Sequence, residues 1–202
     1  MHYLSERGNK GGSIMFSLPA NEEENQLLTE DMFLKIGNGD KQAFEELYIH
    51  TYQAVYGFLL SILKNREEAE DVLQDTYIKI REHAFSYKNK EKPMAWIFRI
   101  ARNLAYMKLR RKKKFFMSSI DDMEIEVEFS NVSNMENRMV LETAFKVLNL
   151  EERQIVILHA VSGLKHKEIS SIVKKPLSTV LSKYNRAIKK LEKAVKGDVV
   201  YD

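Results

Sequence analysis

Residues 165–195 read KHKEISSIV, then KKP, then LSTVLSKYNRAIKKLEKAV. Lys165–Val173 has the length of a short helix, Lys174-Lys175-Pro176 that of a tight turn, and Leu177–Val195 that of a longer, basic helix. This is the spacing of a helix-turn-helix, whose second helix enters the major groove of DNA. On the second helix Val180, Tyr184, Ala187, Ile188 and Leu191 recur at helical spacing and are expected to pack inward. Ser178, Thr179, Ser182, Lys183, Arg186 and Lys189 occupy the other side, where hydroxyls and amines reach base edges near the helix start and phosphates further along. A plain helical hairpin with a charged outer face has the same pattern, so the rest of the chain must weigh on the choice.

Charge does so. The 202 residues carry a formal net charge of only +3, but it is unevenly spread. Residues 1–40 sum to −4, residues 88–114 to +10, residues 115–137 to −6 and residues 164–196 to +8. Two basic blocks separated by an acidic stretch is the footprint of a two-site polyanion binder. A solvated helix face explains one such block; two of them, each on a patterned helix, point to nucleic acid.

Upstream the pattern is helical again. Gly37-Asn38-Gly39-Asp40 is a turn and N-cap signal, without the strand or Lys-Ser/Thr pair of a phosphate loop. Phe44, Leu47, Tyr48, Tyr52, Val55, Leu59, Ile62 and Leu63 then form one buried stripe. Asn65 with Glu68 caps a second helix to about residue 83, with Ala69, Val72, Leu73, Thr76, Tyr77 and Ile80 inward. Pro93 opens a third helix to about residue 113, with Ile97, Ile100, Ala101 and Leu104 inward. No segment alternates as a strand does, and Gly (8) and Pro (3) are scarce. The fold class is all-α: a flexible tail over 1–25, a helical domain over 26–114, an acidic flexible linker over 115–137, a helix-turn-helix domain over 138–196, and a short tail over 197–202. Lys10-Gly11-Gly12-Ser13 can be encoded by a purine-rich run resembling a ribosome-binding site, so Met15 is an expected alternative start.

Composition removes other function classes. With 44% hydrophobic residues the chain can bury a core. Without cysteine it has no disulfide scaffold, thiolate metal site or cysteine nucleophile, which fits a reducing cytoplasm. The apolar run Ala54–Leu63 is half of the roughly 20 residues a membrane span needs. Five histidines lack metal-ligand spacing, and no nucleophile has a base in a motif beside it. The reading is a non-enzymatic protein that needs no cofactor, metal or small-molecule substrate.

The third helix carries a second constellation. At 100° per residue, Arg99, Arg102, Asn103, Tyr106 and Arg110 fall within about 60° of one line, opposite the apolar stripe. Arginine for phosphate, asparagine for a base edge and tyrosine for stacking make a plausible nucleic-acid surface. The loop with Tyr87, Lys88, Asn89 and Lys90 continues it, and Trp96 stands at its edge, where a lone Trp is more often core. Asp71, Gln74 and Asp75, at i, i+3 and i+4 on the second helix, form an acidic patch that would repel phosphate and suits a basic protein partner.

These residues carry a resemblance. Ala69-Glu70-Asp71-Val72-Leu73-Gln74-Asp75-Thr76, followed by Trp96-Ile97-Phe98-Arg99-Ile100-Ala101-Arg102-Asn103-Leu104-Ala105, closely resembles an extracytoplasmic-function sigma factor of the sigma-70 family. Glu168-Ile169 and Ser178-Thr179-Val180 through Asn185-Arg186-Ala187 look like the matching helix-turn-helix for the promoter −35 element. The resemblance implies that Asp71, Gln74 and Asp75 dock on the β′ clamp helices of RNA polymerase, with the β flap as a further contact. It implies that the loop and the Arg99–Arg110 strip read and help open the −10 element, that the Leu177–Lys190 helix reads −35, and that the acidic linker threads toward the polymerase channels. An anti-sigma factor is the implied inhibitor.

The sequence departs from that pattern at the turn. Lys174 stands where the family has Gly and Lys175 where it has an apolar residue; Lys165 replaces a Ser/Thr N-cap, Leu181 a common Lys, and Ser178 a common Gly. Two other readings compete: a free-standing helix-turn-helix regulator with an N-terminal helical sensor domain, and an RNA-binding or antitermination protein.

Overall fold

The computed structural model describes residues 28–87, 92–115 and 146–195. Within them the elements are all helical: α1 (Glu30–Gly37), α2 (Lys41–Leu63), α3 (Arg66–His83), a 3-10 turn (Ala84–Ser86), α4 (Pro93–Phe115), α5 (Leu150–Val156) running into a π-helical turn (Ile157–Val161), α6 (His166–Val173) and α7 (Leu177–Val195).

Each start has a local cause. The Asp40 carboxylate accepts from the backbone N–H of Gln42 (2.9 Å) and Ala43 (3.1 Å), and the Asn65 amide oxygen from that of Glu68 (2.8 Å). Asn149 and Glu152 cap reciprocally, each side chain accepting from the other's backbone N–H. At α6 only half of such a box exists: Glu168 accepts from the Lys165 N–H at 2.7 Å, while Lys165 supplies no side-chain cap. The sequence reading missed α1, an eight-residue helix capped by Thr29 that buries Met32, Phe33 and Ile36.

The α3 face is the expected one: Ala69, Val72, Leu73, Thr76, Tyr77 and Ile80 are all buried. The second half of α2 is buried on every side from Val55 to Leu63, because other helices surround it. The apolar run at 54–63 is therefore the centre of a bundle, and among the described residues no helix is long and apolar enough to cross a membrane. On α4, Ile97 and Ala101 are buried, Ile100 and Leu104 only partly so, and Phe98, outside the expected stripe, meets Phe58 edge-to-face at 5.1 Å.

The two helical units are packed together. α5 and the π-helical turn lie against α2, and α6 lies against α4. Ile155, Ile157, Leu158, Leu164, Ile169, Ile172, Val173 and Val180 join the core of the first unit. A smaller cluster of Leu148, Val156, Ala187 and Leu191 seats α7 on α5. α5 is thus buried on two sides. Even its polar residues are covered: the Glu152 carboxylate meets Lys190 Nζ at 2.7 Å, and Arg153 donates to the Leu148 carbonyl at 3.1 Å. The tail at 1–25, the linker at 115–137, apart from its first residue at the end of α4, and the tail at 197–202 lie outside the described residues.

Candidate nucleic-acid and protein interfaces

Three surfaces carry the residues singled out from the sequence. The first is the outer face of α3, where Asp71, Gln74 and Asp75 are exposed on successive turns. Asp71 is bridged by Lys108 of α4 at 2.9 Å, and Glu68, a turn earlier, by Lys112 at 2.6 Å. Beside them runs a groove of about 440 Å³ lined by Val72, Asp75, Leu104, Met107, Lys108, Arg111 and Lys112.

The second is the strip on α4. Asn103 and Arg110 are exposed, while Arg99, Arg102 and Tyr106 are half-buried. Arg102 lies over the Tyr106 ring at 4.4 Å and donates to the Val173 carbonyl of α6 at 3.3 Å. The Tyr106 hydroxyl accepts from the Gln154 amide of α5 at 3.2 Å. Lys92 and Glu168 add an ion pair across the same junction at 3.8 Å. The middle of the expected DNA strip is therefore held by the second unit.

One residue of that set is corrected. Tyr87 is 4% exposed, with its ring 4.3 Å from Phe33 and 5.6 Å from Trp96. The 3-10 turn over Ala84–Ser86 aims the chain back toward α1, so this aromatic packs in the core rather than on the surface. Trp96 is half-buried in the same trio, edge-on to Phe33 at 5.4 Å. Lys88, Asn89 and Lys90 lie outside the described residues.

The third surface is α7. Val180, Ala187 and Leu191 are buried, with Tyr184 and Ile188 partly so, which orients the helix as its pattern demands. Ser178, Ser182, Arg186 and Lys189 are exposed; Thr179 and Lys183 are half-buried. Lys183 pairs with Glu151 of α5 at 2.9 Å, and Lys175 of the turn meets the same carboxylate at 3.1 Å. Hydrogen bonds from Lys183 and Lys175 hold the Glu151 carboxyl below its ordinary range. Ser182 donates to the Thr179 carbonyl at 3.0 Å. Leu177, which the sequence reading gave no role, and Leu181, marked there only as a departure from the family pattern, are each 41% exposed. Among the described residues no cluster of three or more His, Cys, Asp or Glu could hold a metal ion.

Comparison with known proteins bears on this arrangement. Residues 47–115, from α2 through α4, match the model of sigma-70 region 2, and residues 138–191, which contain α5 to most of α7, match that of sigma-70 region 4. A relative, the ECF RNA polymerase sigma factor SigK of Mycobacterium ulcerans, is 27% identical over 165 residues, 78% of this chain and 88% of the relative. The chain is an extracytoplasmic-function sigma factor of the sigma-70 family. The ECF RNA polymerase sigma-E factor of Haemophilus influenzae is 25% identical over 183 residues, 84% of this sigma factor and 96% of the relative. Two solved structures share the fold. CnrH in complex with the cytosolic domain of CnrY has a TM-score of 0.58 and 19% identity over 84% of this chain and 98% of that one. The sigma factor RpoE in complex with the anti-sigma factor NepR, from Bartonella quintana, has a TM-score of 0.61 and 22% identity over 77% and 98%.

Proposed function

We propose that this sigma factor binds core RNA polymerase, recognises the −10 and −35 promoter elements and directs promoter opening and transcription initiation. The observation that carries the reading is one chain holding an exposed acidic face on α3 and two cationic helices, α4 and α7, within the region 2 and region 4 matches. It works by binding rather than by covalent chemistry, in the cytoplasm where polymerase is.

Asp71, Gln74 and Asp75 dock on the β′ clamp helices, and the second unit meets the β flap. Asn103, Arg110, Arg99, Arg102 and Tyr106 serve the −10 element, together with Lys88, Asn89 and Lys90. Capture of an unstacked base costs a few kcal/mol, offset by aromatic stacking and phosphate contacts. Arg102 and Tyr106 are available for this only after their hydrogen bonds to Val173 and Gln154 open, at about 1 kcal/mol each. The outer face of α7 reads −35: Ser178, Thr179 and Ser182 nearest the bases, Lys183, Arg186 and Lys189 along the phosphates. An anti-sigma factor is the third partner we assign, in keeping with the complex in which RpoE was solved.

A reconstituted run-off assay tests the reading. Core polymerase with this chain is expected to give promoter-specific transcripts from genomic templates, and core alone none. Tight, specific duplex binding without polymerase, and no such transcripts, would instead favour a free-standing regulator.

A further inference from the structure

We propose that Leu181 is a specificity-determining residue of α7, which selects thymine in the −35 element by closing on its C5-methyl group. The inference rests on the reading of α7 as the −35 helix and goes beyond it by naming a base and the chemistry that reads it.

A single exposed leucine on a protein surface needs no explanation. Leu181 differs because of where it stands and what surrounds it. It lies on the second turn of α7, the part of a recognition helix that reaches base edges. It is 41% exposed, and Leu177, equally exposed, stands one turn before it on the same edge of the helix. Several of its polar neighbours already have partners within the protein. Lys183 is held by Glu151 at 2.9 Å, and the Ser182 hydroxyl donates its proton to the Thr179 carbonyl at 3.0 Å. Thr179 is half-buried. An apolar edge of two leucines thus lies beside the hydroxyl of Ser178. In the major groove the apolar feature of a base edge is the thymine C5-methyl, which apolar side chains meet directly. Burying one methyl group against Leu181 would favour thymine by about fourfold.

Polymerase reconstituted with the full chain is used first to select a −35 element from a promoter library. Each thymine of the selected element is then replaced by deoxyuridine, which removes the methyl group alone, and promoter binding is measured for wild type and for Leu181→Ala. One thymine is expected whose replacement weakens wild-type binding by about fourfold and has no effect on Leu181→Ala, while Leu181→Met keeps the sensitivity. Equal binding of thymine and deoxyuridine templates by wild type, or a deoxyuridine loss that persists in Leu181→Ala, overturns the proposal and leaves the −35 reading standing. Absence of any selected −35 sequence in wild type overturns both.

Discussion

Lys174 ends α6 with φ 55° and ψ 48°, the left-handed conformation in which a side chain crowds its own backbone. Its amide closes the helix on the Ser170 carbonyl, so the geometry is imposed by the turn into α7. Lys174→Gly is expected to stabilise the protein by about 1 kcal/mol, read as a higher denaturant midpoint at unchanged slope. His166 has a different cost. Its ring lies 4.4 Å from His159 and 4.6 Å from Tyr184, and its Nε2 is buried without a hydrogen-bond partner. Burial first, and the neighbouring His159 second, hold its pKa below the ordinary 6.5. The unfolded chain therefore takes up the proton more readily than the folded one. This part of the stability is complete above pH 6.5 and is lost as the pH falls below it. His166→Phe should flatten that loss in acid, measured as unfolding midpoint against pH. Caps such as Asp40 and Asn65 were legible in the sequence, because a cap answers to neighbours three residues away. Tyr87 was not, because its burial depends above all on Phe33, on a helix far earlier in the chain.

At the scale of the element, helix faces were read well where one side alone is covered. α3 and α7 turn inward the residues their periodicity marks and leave Asp71, Gln74, Asp75 and Ser178, Ser182, Arg186, Lys189 outside. Two expectations follow from those outer faces. Asp75→Lys should abolish retention of core polymerase in a pull-down while leaving the helical circular dichroism unchanged, since the residue is exposed; a retained complex would remove α3 from the docking surface. Arg186→Ala should weaken −35 binding across sequences and reduce the slope of log affinity against log salt by about one unit, an unchanged slope excluding it from the phosphates. Faces were read less well where an element is covered twice. α5 shows no single stripe because Val156 faces α7 while Ile155 belongs to the larger core, and the π-helical turn that follows shifts the period from one face to the next. α1 is so short that two turns of pattern did not stand out from a polar approach.

For the whole molecule, the joined core has a thermodynamic consequence. The helices of the second unit share one apolar cluster with α2 and α4, and hydrogen bonds at Arg102 and Tyr106 cross the junction. Heating is therefore expected to give one cooperative calorimetric transition, with calorimetric and van't Hoff enthalpies equal; two resolved transitions would show that the units melt independently. The sequence by itself determined the helical class, the ends of α2, α3 and α7, the inward faces of α3 and α7 and the separation of basic from acidic blocks. All of these depend on residue type and on neighbours within a turn or two. The tertiary structure alone decided that Tyr87 is core, that Lys183 answers to Glu151, and that the middle of the α4 strip is held by α5 and α6. Those outcomes arise from contacts between segments far apart in the chain, and neither periodicity nor charge count carries information about which distant surface a helix meets.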